Sequence, residues 1–465
     1  MRRTGASIIL LAGLIVLPGR VLAQSAAAPA ASVDPVAEVR AKLAAAEAAH
    51  PGNTPEIADA LMALVQRERI TRQIGPETDA LAQRALDVSS AAAGKDSILY
   101  ASALASRAKL YVSEDRPEQG RPLAEQALEI ARRVAPGTND MAMVADALDK
   151  ICWALHDKPC ALHAAEEAVA AIRASGPGND LYLASMLQDM AQIQLTMQDV
   201  AGARAAMIES AAIVDRQDKP APSMAVLESN AGAFFSRQNQ PDEAMVHLKK
   251  SLALSEKLYG PDSVQVAYAT RNLGGLDEKL GRSRESAEQY DRALALFRKW
   301  YGPTHTYTAN AEEDYARALA QWGTLPQALD LALHAQKSYR EYSTLCLRVM
   351  PMRQALELVK STSTPVNVAL SIVARHPELG TAAVYQEEIR SRGLVAEEMA
   401  RRQASLNRSN DPQIAELLKE LDNERSAAIK SSGSTATGAE NLQAYNDSTV
   451  RMEHIERTLA ERQQF

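Results

Sequence analysis

A residue that favours turns (Gly, Pro or Asp) returns with a period of about 42 residues along most of this chain. Five of the six intervals are equal, and the one from Pro136 to Gly176 is two positions shorter. The positions are Gly52, Gly94, Pro136, Gly176, Asp218, Gly260 and Gly302. Self-similarity at such a period is the signature of repeated units that stack on their neighbours. We therefore expect a stacked repeat protein, a class that presents a long concave surface and usually binds a partner.

The repeated unit is expected to be an antiparallel hairpin of two helices. The two clearest units are residues 260–301 and 302–343. In the first of them, apolar residues fall at helical spacing on two separate segments. They are Val266, Leu273, Leu276 and Leu280, followed by Tyr290, Leu294 and Phe297. Gly281-Arg282-Ser283 forms the turn between the segments, and Gly281 suits the left-handed end of the first helix. No strand pattern is visible, so the sequence predicts an all-α fold.

The last units resemble the tetratricopeptide repeat. Leu273-Gly274, Gly281, Tyr290 and Ala293 occupy the spaced positions of that repeat, as do Gly323 with Ala328 and Ala244 with Leu248 in the neighbouring units. The opening GPDSVQVAYATRNL is similar to the variety of the same period that is found in kinesin light chains. Ser286 departs from the pattern, which prefers alanine. The resemblance implies a right-handed superhelical solenoid of about seven units over residues 36–343, with an inner wall formed by the first helix of each hairpin.

The region after the repeats, residues 344–465, resembles the helical linker of bacterial proteins in which these repeats precede a caspase-like CHAT domain. The matching segments are Met350–Leu358, Ile389–Arg402 and Leu459–Phe465. We expect long antiparallel helices here, at about 411–430 and 439–462. The catalytic domain of that architecture would lie beyond Phe465, so the resemblance implies a sensing arm without the histidine and cysteine of the protease.

The N-terminus has the features of a secretory signal. Arg2 and Arg3 precede an apolar run over residues 8–17, and Val21-Leu22-Ala23 supplies the small residues of a cleavage site. We expect cleavage after Ala23, export to the periplasm or the outside of a bacterial cell, and a disordered leader over residues 24–35. An uncleaved membrane anchor is the alternative, but the apolar run is only half of the roughly 20 residues that span a bilayer.

The charge of the exported chain argues against nucleic-acid binding. The whole sequence has 51 basic and 58 acidic residues. Residues 1–23 contain three arginines and no acid, so the remainder has a formal charge of −10. Binding to nucleic acid needs a basic surface. We therefore expect neither nucleic-acid binding nor membrane insertion after cleavage.

Cys152, His156, Cys160 and His163 form a C-x3-H-x3-C-x2-H cluster around a predicted turn. Three interpretations stay open. The cysteines could form a disulfide that clamps the turn in an oxidising compartment. The four side chains could hold zinc, although the spacing is unusual. Alternatively, the cysteines pack as small apolar groups and the imidazoles are exposed. Cys346, the third cysteine, is expected to be a buried apolar residue.

Catalytic motifs are absent from the sequence. It contains no H-E-x-x-H, no G-x-S-x-G and no G-x-x-x-x-G-K. The basic cluster Arg390, Arg392 and Arg401-Arg402 stands among glutamates and is typical of an ion-paired helix surface. We therefore expect no enzymatic activity, no cofactor and no metal.

Asn230 and Asn272 are one repeat period apart, and each directly precedes a small or leucine core residue. The tetratricopeptide resemblance implies that they lie on the inner wall and bond the backbone of an extended peptide, as an amide can both donate and accept. Tyr268, Arg271, Arg237 and Asn310 are expected on the same wall. The alternative is that these side chains are solvated or bond between repeats.

The sequence thus predicts an exported scaffold that binds a peptide or protein partner in the concave groove of its repeats. The alternative is the N-terminal regulatory arm of a CHAT-type cysteine protease whose catalytic domain lies outside this chain.

Overall fold

The computed structural model describes most of the chain. The described residues are 35–50, 52–71, 74–114, 116–347, 365–433, 448, 449, 451, 452, 454–456, 458, 459 and 462. The predicted signal peptide, the leader up to residue 34 and the segment Met350–Leu358 lie outside them, as does most of Leu459–Phe465. The chain divides into two compact units, Met1–Ser263 and Val264–Phe465.

The first unit contains eleven helices among its described residues. They are α1 (Pro35–Ala49), α2 (Pro55–Thr71), α3 (Pro76–Ala93), α4 (Ile98–Ser113), α5 (Pro117–Val134), α6 (Asn139–Ala154), α7 (Lys158–Ala174), α8 (Asp180–Thr196), α9 (Val200–Asp215), α10 (Pro222–Arg237) and α11 (Pro241–Tyr259). Consecutive helices pair from α2–α3 to α10–α11, which gives five hairpins. The first helices of successive hairpins also touch directly, as α2 touches α4 and α4 touches α6.

The second unit continues the hairpins and then changes character. Its described helices are α12 (Val264–Lys279), α13 (Ser283–Tyr301), α14 (Thr306–Trp322), α15 (Leu325–Leu347), α16 (Val366–Val373), α17 (Thr381–Arg392), α18 (Leu394–Leu406) and α19 (Pro412–Gly433). α12–α13 and α14–α15 form two hairpins, and α16, α17 and α18 pack against α15. Ile414 and Leu421 of α19 form a separate core with Leu406, Ile455 and Leu459.

A left-handed residue ends the first helix of each of five successive hairpins. His156, Gln198, Asn239, Gly281 and Gly323 all have positive φ, between 57° and 96°. Their spacing matches the repeat period to within one position. The next backbone N–H donates to the carbonyl five positions earlier, as from Asp157 to Cys152 at 2.8 Å. This bond is the Schellman closure of a helix. The predicted left-handed turn at Gly281 is confirmed, and it recurs at non-glycine residues.

Small residues let the two helices of a hairpin approach closely. A Cβ on Gly232 would lie 2.6 Å from the Leu248 side chain. One on Gly274, at the same position of the next hairpin, would lie 3.1 Å from the Tyr290 ring. Ser286 replaces the alanine of the repeat pattern, and its buried hydroxyl donates to the Gly274 carbonyl at 2.9 Å. The serine therefore satisfies its own polar group inside the hairpin.

The predicted all-α architecture of stacked helical hairpins is confirmed for the described residues. Among the apolar residues that predicted the hairpin α12–α13, all but Leu280 are buried. None of the helices that the structure describes combines the length and the hydropathy that a membrane span needs.

Candidate functional site on the first helices

Five polar residues occupy the same position in five successive hairpins. Each follows the previous one by one repeat period, and all lie on the first helix of their hairpin. We call them the polar column: Asp146 on α6, Gln188 on α8, Asn230 on α10, Asn272 on α12 and Asp314 on α14. The first three belong to the first unit and the last two to the second. The sequence interpretation found only the two asparagines, although the period alone points to all five.

Two members of the polar column in the first unit, Gln188 and Asn230, join neighbouring hairpins. The Asn230 amide donates to Gln188 Oε1 at 3.0 Å. Gln188 is buried, and its own amide donates to the Leu227 carbonyl of α10 at 2.8 Å. These two bonds join α8 to α10. Asn230 therefore takes part in a contact between repeats, which is one of the two roles that the sequence left open.

Arg237 extends this contact toward the end of α10. Its guanidinium donates to Gln192 Oε1 on α8 at 3.3 Å. Arg237 is exposed, and the structure gives it no carboxylate partner among the described residues. Both predicted residues of the first unit, Asn230 and Arg237, thus lie along the junction of α8 with α10.

In the second unit, Arg271 is joined to the polar column of the next hairpin. Its Nε donates to Asp314 Oδ2 at 2.6 Å. Burial opposes the charge of Arg271, but the Asp314 carboxylate raises the pKa of the guanidinium. Arg317 contacts the same carboxylate and also donates to Glu278 Oε1 at 2.7 Å. The carboxylate of Asp314 is therefore shared by two arginines between α12 and α14.

Tyr268 lies in an aromatic cluster. Its ring meets Phe297 edge-on with a centroid separation of 4.9 Å, and its hydroxyl lies 3.2 Å from that of Tyr301. Burial, together with the hydrogen bond to Tyr301, raises the pKa of Tyr268. His305 stacks on the ring of Tyr301, and the ring of Tyr307 lies tilted against it. Tyr268 is thus half-buried and packs between α12 and α13.

The two remaining predicted residues differ in exposure. Asn272 is exposed on α12, directly before the buried Leu273. Asn310 is half-buried on α14 and accepts a hydrogen bond from the Tyr339 hydroxyl of α15. Among the predicted side chains of the second unit, Asn272 is the most exposed.

A charged network joins three hairpins of the first unit. Lys109 of α4 donates to Asp146 at 2.8 Å. Lys150 of α6 contacts Asp146 at 3.4 Å, Asp149 at 2.9 Å and Asp189 of α8 at 2.8 Å. The three carboxylates offer oxygens within 4.8 Å of one another, as a metal site would. Because the Lys150 ammonium already contacts all three, it fills the role of the cation.

Cys152 and Cys160 are joined by a disulfide between the end of α6 and the start of α7. Their sulfurs are bonded to each other, so the zinc interpretation of the cluster is wrong. His156 is the left-handed residue of the turn, and both His156 and His163 are exposed. Cys346 is free and half-buried rather than buried as expected.

The basic cluster of the linker region is paired with acids, as its sequence indicated. Arg392 contacts Glu388 at 2.5 Å, and Arg401 contacts Glu398 at 2.8 Å. Glu387, in addition, accepts from Arg340 of α15 at 2.7 Å and so ties α17 to the preceding hairpin. Arg390, Arg392 and Arg401 are therefore ion-paired on the helix surface, while Arg402 donates to the Leu347 carbonyl at 3.3 Å.

Comparison with known proteins finds a sequence match over some of these hairpins. A sequence model of the tetratricopeptide repeat matches residues 223–299 and 275–341. No curated protein matches the chain. The solved structure of apo RapI is similar over 87% of this chain and 99% of its own, with 10% identity and a TM-score of 0.50. That likeness concerns the fold alone.

Two further solved structures show weaker similarity. A Rap protein complexed with competence and sporulation factor covers 92% of this chain and 99% of its own, with 14% identity and a TM-score of 0.44. BtubC from P. vanneervenii covers 48% of this chain and 90% of its own, with 16% identity and a TM-score of 0.44. The sequence match to the tetratricopeptide repeat covers residues 223–341, which form α10 to α15. This part of the chain therefore carries tetratricopeptide repeats.

Proposed function

We propose that the chain is an exported scaffold that binds a peptide or protein partner on the face formed by the first helices of its hairpins. Repeat proteins of this architecture present such a face as an extended binding surface. Asn272 carries the proposal, since its amide is exposed on a first helix. An extended peptide backbone offers donors and acceptors in regular alternation, which amide side chains can match.

Asn272 is the sharpest test of this face, because its side chain is exposed. Peptides would be selected from a displayed random library on the purified chain, and their Kd measured by fluorescence anisotropy. Asn272→Ala should weaken binding about 2- to 10-fold, the effect of losing one hydrogen bond. The double variant with Asn230→Ala should weaken it further, with unchanged helical circular dichroism.

Lys249→Ala is the matched control, because Lys249 is exposed on α11, a second helix. Its Kd should equal that of the unchanged chain. Failure to select any peptide, or an unchanged Kd in Asn272→Ala, would remove the first-helix face as the binding surface.

The association with a CHAT-type protease is a part of the proposal that rests on sequence alone, and export rests on the sequence together with the disulfide. The signal segment, residues 1–23, and Met350–Leu358 lie outside the described residues. The disulfide between Cys152 and Cys160 supports export, since such bonds persist in oxidising compartments. The regulatory role beside a protease stays a prediction from the resemblance of the linker segments.

A further inference from the structure

The charged network of the first unit holds one carboxylate more than it has ammonium groups. Asp146, Asp149 and Asp189 face Lys109 and Lys150. Asp149 is the most enclosed of the three, with a side chain 3% exposed against 14% for Asp146 and 21% for Asp189. Its one ion pair, with Lys150, is shared with both other carboxylates. The charge of Asp149 is therefore the least compensated of the three, because the group is buried and, among the described residues, Lys150 is the one cation that acts on it.

The groups that surround Asp149 come from several helices. α6 itself supplies Asp146 and Lys150, and α8 supplies Asp189. Lys109 of α4 forms an ion pair with Asp146. Arg69 of α2 is attracted electrostatically by the same carboxylate. Tyr182 of α8 lies near the network with a pKa raised by burial, so its hydroxyl stays neutral. No charged side chain in the described parts of α5 and α7, which also pack against α6, pairs with the network.

We propose that this network is a pH-sensitive clasp, in which Asp149 takes up a proton in mildly acidic surroundings and the contacts that join α4, α6 and α8 become firmer. With Asp149 neutral, two ammonium groups face two carboxylates. Lys150 then serves Asp146 and Asp189 without a third competitor. The device is independent of any partner on the first-helix face, so it does not rest on the proposed function.

The direction of the pH effect on stability follows from the pKa of Asp149 in the folded and in the unfolded state. Burial, with added repulsion from Asp189 and Asp146, raises the pKa of Asp149 from 3.8 to about 6. The folded state thus binds the proton more tightly than the unfolded state. Stability rises as the pH falls through about 6, and the gain is complete near 3.8. Between these values the opening constant falls by about tenfold per pH unit.

Two other carboxylates frame this pH window. The pKa of Asp146 is lowered, because the pull of Lys109 and Lys150 outweighs the burial that opposes ionisation. Its ion pairs therefore persist until the pH falls below the ordinary value of 3.8. Asp59 of α2 has a pKa raised by burial and by Asp140, which gives a pH effect of the same sign. The experiment has to separate Asp59 from Asp149.

Hydrogen exchange with mass spectrometry tests the clasp in the full chain. Protection of α6 and α8 peptides would be compared at pH 7.5 and pH 5, after correction for the intrinsic pH dependence of exchange. The unchanged chain should gain about tenfold protection there at pH 5. Asp149→Asn should show the higher protection already at pH 7.5 and no gain on acidification. Peptides of α12 and α14, which lie in the other unit, serve as an internal reference.

Asp59→Asn is the matched control and should keep the gain in α6 and α8. If Asp149→Asn does not fold, Asp189→Asn replaces it, since removing either neighbour of Asp149 also ends the excess of carboxylates and should shrink the gain. Equal protection at both pH values in the unchanged chain would overturn the proposal. So would a full gain that survives in Asp149→Asn.

Discussion

The left-handed residue that ends the first helix of a hairpin is not always recognisable from its residue type. Gly281 can be predicted to be left-handed from its residue type, because glycine accepts positive φ without penalty. Gln198, with φ of 67°, and His156, with 59°, adopt the same conformation without any compositional sign. The same is true of the polar column. Asp146, Gln188 and Asp314 occupy the repeat position of the predicted asparagines, although their residue types differ. At this scale the period predicts the position, while the residue type alone does not.

Gln198→Gly should stabilise the first unit, because it relieves left-handed strain at an exposed turn. The strain is about 1–2 kcal/mol for a residue with a Cβ, and the lost entropy of glycine offsets about half of it. We expect a gain of about 0.5–1 kcal/mol in the free energy of unfolding, read from urea titration by circular dichroism. Gly281→Ala, the converse change, should destabilise by about 1 kcal/mol. A lower urea midpoint for Gln198→Gly would contradict the assignment.

The hairpin is the element that the sequence predicts best. Its helix pairs follow from apolar spacing, and the predicted helix at about 411–430 agrees with α19 at Pro412–Gly433. The side-chain pairs between neighbouring hairpins were harder to predict from the sequence. Arg271 reaches Asp314 and Lys150 reaches Asp189 only because stacking brings neighbouring first helices together. The disulfide was one of three open interpretations, because spacing alone does not distinguish a pair of bonded cysteines from two packed thiols.

Loss of the disulfide between Cys152 and Cys160 should destabilise the α6–α7 hairpin. A loop with a sequence separation of 8 corresponds to about 2–3 kcal/mol of chain entropy. The double variant Cys152→Ala/Cys160→Ala should lower the urea midpoint, and dithiothreitol should lower that of the unchanged chain equally while leaving the variant unaffected. In the denatured, unreduced chain we expect one reactive thiol, that of Cys346. Three reactive thiols would show that the bond does not form.

At the scale of the whole molecule, the repeat period predicts an array of about seven units over residues 36–343. The chain divides into two compact units, and the boundary between Ser263 and Val264 falls within that range. A period cannot indicate such a division, because each hairpin has the same local pattern and the grouping depends on tertiary contacts. The cluster of three carboxylates around Lys150 also arises from tertiary packing. Its three acids are ordinary surface residues in the sequence and become coupled only when α6 meets α8.

The binding face is the central claim, and photo-crosslinking tests it most directly. A library-selected peptide with a benzophenone residue would be crosslinked to the full chain, and the attachment sites mapped by mass spectrometry. The account predicts attachment to first helices, within α6, α8 and α10 or within α12 and α14, with competition by the unlabelled peptide. Competed attachment confined to the second helices α7, α9, α11 and α13 would contradict it.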